Sequence, residues 1–407
     1  MKRALRGILF RIFGRMPLFL ARFRRMLTRQ RELPPEPRSF LIVRFDAMGD
    51  LVLTTPLFRD LKQSFPQSTI AVVTHSAFRT LIENNPFVDQ ILTLPPIRKT
   101  PYMTDARLLW AALKLFFGQV RKQHYDYAIS PRWDADMHPA NLLCLLAPAR
   151  RTVGFPDRAK MRMDFPFKIF GDMFDITVPG DGVMHEVLRG RSIVSELGGI
   201  SSNLGPEVFS LPEHERKAAE LLRKAPAETL KLAIGIGAQA PFRRWPLENY
   251  AQVLRELTAQ RNVYPVIVCG PSEVEQASQM VKMLPMPSCI VAESDLRVTA
   301  SVLKQCAIFI GNDSGPAHLA AASGCAMVVI SPHPVNGDPN HANSPIRFSP
   351  YCQQCIVLQP NIARAPCRTH CMGDTPHCIL GILPDMVVES MLKLMDQRFE
   401  KLGNRSK

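Results

Sequence analysis

Asp50 is a carboxylate that directly follows Gly49, where a short apolar run over residues 40–45 gives way to a helical pattern. Because glycine has no Cβ, Gly49 permits a tight turn at this point. The turn places Asp50 at the start of the helix, where its carboxylate could cap free amides. It could equally act as a general base that takes a proton from a hydroxyl group. The residues themselves leave both roles open.

Two adjacent arginines, Arg243 and Arg244, lie in a loop between a glycine-rich strand end and a Trp-Pro pair. Gly235 and Gly237 let the backbone of this loop approach a ligand closely. A guanidinium group donates two parallel hydrogen bonds, which suits the oxygens of a phosphate. The pattern therefore indicates a phosphate-binding loop, and the alternative is a pair of solvated surface charges.

Residues 311–324 read Gly-Asn-Asp-Ser-Gly-Pro-Ala-His-Leu-Ala-Ala-Ala-Ser-Gly, a pattern typical of a strand that ends and a helix that begins. Proline is favoured in the first turn of a helix, so Pro316 indicates where this helix starts. Its free amides and the positive end of its dipole suit a pyrophosphate. His318 lies on the first turn of this helix, where a phosphate would rest, and a structural histidine is the alternative interpretation. No Gly-Lys-Ser/Thr follows, so the segment is not a Walker loop.

Five of the ten cysteines lie within residues 352–378, as a Cys-x2-Cys pair, a Cys-x3-Cys pair and a single cysteine. Thiol pairs separated by a loop are typical of a four-ligand structural metal site, here with zinc or iron. The preferred ligand set is Cys352, Cys355, Cys371 and Cys378, with Cys367 as an alternative ligand. Reduced thiols and disulfides are the other interpretations. The remaining five cysteines are scattered through apolar segments, which is typical of a reduced, cytosolic protein.

Strands and helices alternate along the chain in two successive series. The first has strands near residues 40–45, 69–74, 90–94 and 127–130 and helices near 50–64, 77–84 and 105–123. The second has strands near 231–237, 263–269, 289–292, 308–311 and 326–331 and helices near 213–224, 247–260, 272–283, 297–305 and 315–323. Such alternation predicts two α/β units, each with a parallel sheet covered on both faces. Doubly wound units predict a ligand cleft at the carboxyl ends of the strands.

The two series divide the chain into four parts. Residues 1–35 are a basic N-terminal segment with a proline linker, and residues 36–204 are the first α/β domain. Residues 205–382 are the second α/β domain, which contains the cysteine cluster, and residues 383–407 are a C-terminal helix and tail.

Residues 1–31 contain ten of the 50 lysines and arginines and no acidic residue. Drawn as a helix, this segment has arginines on one face and large apolar residues on the other, although Pro17 interrupts it. The pattern favours a helix that lies in an anionic membrane surface. A disordered basic tail, a nucleic-acid-binding arm and a transit peptide are the alternatives. No apolar run reaches the ~20 residues that a membrane-spanning helix needs.

The Gly-Asp turn, the arginine loop and the 311–324 segment, in this order and spacing, resemble glycosyltransferase family 9, the heptosyltransferases of lipopolysaccharide core assembly. The resemblance extends over residues 39–395. It implies a GT-B fold, in which two Rossmann-like doubly wound domains face each other across a cleft. It also implies inverting transfer of heptose from ADP-heptose to the inner core, with no cofactor or metal required for catalysis.

The resemblance assigns roles to individual residues. Asp50 matches the catalytic base, and Arg243 falls where the family has a phosphate-binding lysine. The cluster of Asp313, Ser314, Gly315 and His318 matches the residues that bind the diphosphate and the sugar. Glu273 stands where the family holds the ribose, and a surface glutamate is the alternative interpretation.

Family 9 acceptors are anionic glycolipids, and several basic residues of the first domain could meet such an acceptor: Arg98, Lys99, Arg132, Arg150 and Arg151. Scattered surface charge is the alternative interpretation. We expect a cytoplasmic enzyme that is peripheral on the inner membrane and has no nucleic-acid partner. A transferase for another acceptor, such as a protein or a surface glycan, is the second hypothesis, and a catalytically inactive, membrane-docked scaffold is the third. No Gly-x-Gly-x-x-Gly follows the first strand, which disfavours a nicotinamide oxidoreductase.

Overall fold

The computed structural model describes residues 32–94, 111, 114–133, 140–156, 173–180 and 182–403. The N-terminal segment 1–31 lies outside the described residues. The chain divides into two compact units, one ending at Leu204 and the other beginning at Gly205. Among the described residues, no helix combines the length and apolar character needed to cross a membrane.

The first unit contains a six-stranded, fully parallel sheet with the order β3-β2-β1-β4-β5-β6. Its strands are β1 (Ser39–Val43), β2 (Thr69–His75), β3 (Gln90–Leu94), β4 (Tyr125–Ile129), β5 (Ala149–Gly154) and β6 (Ile176–Thr177). The central strands are buried on both faces, which is why they are recognisable in the sequence as apolar runs. The first four strands confirm the prediction. Strands β5 and β6 were not predicted from the sequence.

Four helices of the first unit have defined bounds: α1 (Met48–Ser64), α2 (Arg79–Ile82), α3 (Ala140–Leu146) and α4 (Glu186–Glu196). Residues 114–118 are also helical, within the predicted range 105–123, part of which lies outside the described residues. Helices α1 and α4 pack against each other. A Cβ added at Gly190 of α4 would lie 3.6 Å from Leu57, so the two helices approach closely there.

The second unit has the same strand order, β9-β8-β7-β10-β11-β12, and is again fully parallel. Its strands are β7 (Leu230–Gly235), β8 (Val263–Val268), β9 (Cys289–Val291), β10 (Ile308–Asn312), β11 (Ala326–Ile330) and β12 (Cys355–Leu358). Its helices are α5 (Pro212–Leu221), α6 (Leu247–Gln260), α7 (Val274–Lys282), α8 (Leu296–Lys304), α9 (Gly315–Ala322), α10 (Pro345–Phe348) and α11 (Pro384–Gly403). Each strand and helix predicted in this half is present, within a few residues at its ends.

The strand order reverses once in each sheet, between β1 and β4 in the first unit and between β7 and β10 in the second. In doubly wound sheets, ligands bind beyond the carboxyl ends of the two strands at this switch point. The loops that follow β1, β4, β7 and β10 are therefore where a functional site is expected.

Candidate functional site

Asp50 lies in the first turn of α1, and both of its carboxylate oxygens are bound. Arg44 Nη2 donates to Asp50 Oδ1 at 3.0 Å, and the amide of Ala47 donates to Oδ2 at 3.0 Å. The Asp50 side chain is 16% exposed, compared with 3% for Arg44. Asp50 therefore caps its helix, as the first interpretation predicted, and still presents a solvent-accessible carboxylate at the switch point.

Arg132, in the loop after β4, lies at the same switch point. Its Nη1 is 2.6 Å from Asp46 Oδ2, and Asp46 Oδ2 is also 3.3 Å from Arg44 Nε. The ion pair joins the loops that follow β1 and β4, so Arg132 is part of this site rather than an isolated surface charge. Burial disfavours the charged guanidinium of Arg44, but Asp46 and Asp50 outweigh this effect and raise the pKa of Arg44 above its ordinary value.

The start of helix α4 supports the same loop. The Arg189 guanidinium stacks on the Trp133 ring at 3.7 Å, and its Nε lies 3.5 Å from Glu186 Oε1. Trp133 and Arg189 both donate to the carbonyl of Gly180. Buried residues of α4 thus fix the position of the segment that carries Arg132.

The remaining basic residues proposed for acceptor binding are placed differently. Arg98 and Lys99 lie outside the described residues. Arg150 pairs with Asp126 at 3.1 Å, near the amino ends of β4 and β5. In a parallel sheet the amino ends of the strands lie opposite the carboxyl ends, so Arg150 does not join Asp50 and Arg132, and for Arg150 the structure favours the alternative interpretation of surface charge.

In the second unit, Arg243 ends a short 3-10 helix, Pro241–Arg243, in the loop after β7. Its Nη2 donates to the main-chain carbonyl of Asp313 and lies 3.5 Å from Asp313 Oδ2. Its Nε is buried and has no hydrogen-bond partner within the described part of the chain. A buried N–H without a partner costs about 1–3 kcal/mol, a cost that a ligand oxygen would remove.

Asp313 is buried, and it holds Arg243 rather than facing solvent. Burial raises the pKa of the Asp313 carboxyl, and Arg243 and the Ser331 hydroxyl, which donates at 3.3 Å, offset part of this rise. Arg244 lies beside Arg243 and donates from Nε to the carbonyl of Ala238 at 2.8 Å, within its own loop. Both arginines are thus fixed by backbone carbonyls at the carboxyl ends of β7 and β10.

Asn312, the last residue of β10, was not among the predicted site residues. Its Oδ1 accepts hydrogen bonds from the Trp245 amide at 2.9 Å and the Tyr250 hydroxyl at 3.0 Å. Its Nδ2 donates to the carbonyl of Ile236 at 2.7 Å. Because Asn312 is fully buried, its side-chain amide must bind other protein groups. The signal available in the sequence was a polar asparagine directly at the end of an apolar strand.

Helix α9 begins at Gly315, as predicted, but it offers fewer free amides than expected. Pro316 has no N–H, and the amides of Ala317 and His318 donate back to the carbonyl of Ser314. The tight first turn satisfies these amides within the helix. The Ser314 hydroxyl donates to the carbonyl of Gly237 at 2.9 Å, which ties the helix start to the loop after β7. His318 lies one turn further on and is 6% exposed.

Glu273 lies against the same glycine. Its Oε2 accepts from the amide of Gly270 at 2.8 Å, and a Cβ added at Gly237 would come within 2.3 Å of its Oε1. Only glycine fits at position 237 with Glu273 in this place. Glu273 therefore shares Gly237 as a neighbour with Ser314, at the carboxyl end of β7.

The cysteine cluster has a different membership from the predicted ligand set. Cys367, Cys371, His377 and Cys378 each offer one ligand atom, and these four atoms all lie within 4.8 Å of one another. This group could hold a metal ion. His377 was not predicted, because the spacing of the cysteines does not point to a histidine ligand.

Cys352 and Cys355 do not belong to this group, which corrects the predicted set. Cys355 opens β12 and pairs in register with Met327 of β11, so the sheet fixes its position. A hydrogen bond from Cys355 lowers the pKa of the Cys352 thiol, which places the two thiols next to each other.

Comparisons with known proteins agree with this geometry. Residues 114–331 match the model of glycosyltransferase family 9 (heptosyltransferase). A lipopolysaccharide core heptosyltransferase, OpsX of Haemophilus influenzae, is 19% identical over 320 residues, covering 77% of this chain and 82% of the relative.

Two solved structures have the same fold. The family 9 glycosyl transferase of Veillonella parvula superposes with a TM-score of 0.70 at 19% identity, covering 90% of this chain and all of the other. The ADP-heptose lipopolysaccharide heptosyltransferase II of Escherichia coli gives a TM-score of 0.63 at 19% identity, covering 88% of this chain and 99% of the other. Because the family model spans more than half of the 407 residues, the chain belongs to glycosyltransferase family 9 and is a glycosyltransferase with the GT-B fold.

Proposed function

We propose that this enzyme transfers heptose from ADP-heptose to the inner core of lipopolysaccharide with inversion at the anomeric carbon. The observation that carries the proposal is the buried, unpartnered Nε of Arg243 at the switch point of the second unit. A diphosphate oxygen is the ligand this donor suits best. The relatives whose names specify heptosyl transfer to lipopolysaccharide supply the sugar and the acceptor class.

The donor site consists of the residues around Gly237. Arg243 and Arg244 bind the diphosphate together with His318 and the start of α9, where Ser314 and Gly315 lie. Asp313 holds Arg243 in place, and Glu273 binds the ribose hydroxyls. Cationic side chains and the helix dipole stabilise the charge that develops on the leaving diphosphate, so this assignment requires no divalent cation.

Asp50 is the general base. Two N–H donors hold its carboxylate at 3.0 Å, and its remaining lone pairs accept the proton of the acceptor hydroxyl. The acceptor oxygen bonds to the anomeric carbon while the bond from that carbon to the diphosphate oxygen breaks. The proton goes to Asp50, and ADP leaves. Inversion requires the base and the leaving group on opposite faces of the sugar, so Asp50 acts on the face opposite the diphosphate.

The acceptor is an anionic glycolipid. Arg132 contacts its acidic groups beside Asp50, and Arg98 and Lys99 add positive charge to the same domain. The basic segment 1–31 lies on the inner leaflet of the membrane, where such an acceptor is found, so the enzyme is cytoplasmic and peripheral.

The test is ADP release when ADP-heptose and a heptose-deficient core glycolipid are mixed with the purified chain. Wild type turns over, and Asp50→Ala binds donor but does not turn over. Turnover only on a protein or on another surface glycan would replace the acceptor in the proposal. Donor binding without turnover on any acceptor would instead identify an inactive scaffold.

A further inference from the structure

We infer that Cys367, Cys371, His377 and Cys378 bind one thiolate-preferring metal ion, zinc or iron(II), and that this ion holds the Arg243 loop in its binding position. The first part is independent of the proposed function. The second part rests on it, because it assigns a role to the metal in donor binding.

The distances fit a tetrahedral site. The Nδ1 of His377 lies 3.4 Å from Cys378 Sγ and 3.6 Å from Cys367 Sγ. Metal–sulfur bonds of about 2.3 Å and metal–nitrogen bonds of about 2.0 Å require neighbouring ligand atoms roughly 3.5 Å apart. His377 therefore stands from Cys367 and Cys378 at the separation that a shared ion imposes, and Cys371 Sγ lies within 4.8 Å of all three.

The surroundings suit a closed, structural site. The three cysteines are 0–6% exposed, and Phe242 and Ala363 pack against them. The amide of Met372 donates to Cys367 Sγ at 3.2 Å, as amides do when they support a metal-bound thiolate. Three sulfur ligands and an imidazole favour zinc or iron over magnesium or calcium. A full set of four protein ligands leaves no open position for a substrate.

The segment that begins at Cys378 contacts the arginine loop on both sides of Arg243. The 3-10 helix that begins with Cys378 packs against the 3-10 helix Pro241–Arg243. Trp245, two residues after Arg243, donates from Nε1 to the carbonyl of Ile382 at 3.0 Å. These two contacts link the loop after β12 to the arginine loop, so a metal ion that orders the first also orders Arg243.

The first experiment measures metal per chain in purified full-length protein by mass spectrometry. Wild type is expected to hold close to one equivalent. His377→Ala is expected to lose it, and His377→Cys is expected to retain it, because a fourth thiolate completes the same tetrahedron. Cys352→Ser is the matched control and keeps the metal. The same measurement identifies the element and so separates iron from zinc.

Several outcomes overturn the ligand assignment. Wild type without metal after expression in supplemented medium is one of them, and a disulfide detected among these cysteines is another. Loss of metal in Cys352→Ser with retention in His377→Ala would move the site to the other thiol pair. Cys378→Ser alone is less informative because it could fail to fold. The comparison of His377→Ala with His377→Cys therefore decides the ligand assignment.

The second experiment measures ADP affinity by calorimetry before and after removal of the metal with a chelator. Because hydrogen bonds to charged groups contribute about 1.5–3 kcal/mol, a loss of about 10- to 100-fold is expected when Arg243 no longer reaches ADP. Unchanged affinity in the metal-free protein overturns the link to Arg243. If the metal-loaded protein does not bind ADP at all, the proposed function fails while the metal site stands.

Discussion

The guanidinium of Arg44 binds Asp50 Oδ1 at 3.0 Å and lies 3.3 Å from Asp46 Oδ2, so one buried cation holds two carboxylates. Only Asp50 of the two is partly exposed, at 16% compared with 3% for Asp46. Asp50 is therefore accessible to a substrate, whereas Asp46 is buried and has a structural role. Arg132 completes the arrangement by binding Asp46 from the loop after β4.

Asp50→Asn is expected to lower kcat by about 10²- to 10⁴-fold, because the amide cannot accept the proton. Asp89→Asn is the control. Asp89 also accepts hydrogen bonds from one main-chain amide and one cationic side chain. It lies beside the amino end of β3, whereas Asp50 lies near the carboxyl ends of the strands. Steady-state kinetics and ADP calorimetry on both variants test the assignment. Equal losses of kcat in the two variants would mean that Asp50 only caps its helix and is not the general base.

Arg44→Met is expected to destabilise the first unit and to lower kcat, since it leaves Asp46 and Asp50 without their shared cation in a buried loop. The KM for ADP-heptose should change little, because Arg44 belongs to the unit that carries Asp50. Arg44→Lys keeps the charge and is expected to recover part of kcat. A rise in KM with unchanged kcat would show that Arg44 acts on substrate binding instead.

Arg243→Ala is expected to weaken ADP binding by about 10- to 100-fold, because hydrogen bonds to charged groups contribute about 1.5–3 kcal/mol. Arg243→Lys should recover part of the loss, since lysine keeps the charge but not the planar geometry. Arg261→Ala, which breaks an exposed ion pair with Asp396, is the control. The affinity of all three variants for ADP is measured by calorimetry. If Arg243→Ala binds ADP as tightly as wild type, Arg243 is not part of the donor site.

Gly237→Ala is expected to displace Glu273, because the new Cβ would lie 2.3 Å from Glu273 Oε1. ADP affinity and melting temperature should both fall. The drop should be smaller when the substitution is made in a Glu273→Ala background, where the clash is absent. Gly118→Ala, whose Cβ would meet nothing within 4 Å, is the control. Additive effects in the double variant would indicate that the two residues do not contact each other.

His341 is expected to make stability depend on pH. Burial, together with neighbouring His370 and His333, lowers the pKa of His341 from 6.5 to about 4. Between these values the unfolded chain binds the proton more readily, so the free energy of unfolding should fall as the pH drops from 6.5 towards 4. Melting temperatures of wild type and His341→Gln over this window test the assignment. The variant should lose less stability, and identical slopes would contradict the prediction.

The alternation of strands and helices could be read from the sequence because parallel strands buried on both faces are continuous apolar runs. The second unit follows this rule closely, from β7 to β11. Strand β5 was missed because Arg150 and Arg151 interrupt its apolar pattern, and only the ion pair with Asp126 explains an arginine there. Strand β12 was missed because half-buried residues at a sheet edge give a weak pattern.

The sequence by itself determined the fold class and the segments that carry the chemistry, since both depend on local spacing: apolar periodicity for the elements, and Gly-Asp, Arg-Arg and Asp-Ser-Gly-Pro for the loops. The tertiary structure decided which side chains meet. Arg44 and Arg132 come together at Asp46, Glu273 comes to Gly237, and His377 rather than Cys352 or Cys355 joins the other three cysteines. Arg132 and Asp46, Glu273 and Gly237, and His377 and Cys367 are separated in the chain by segments whose paths follow no period. Packing and hydrogen bonding across the sheet, rather than local pattern, select them.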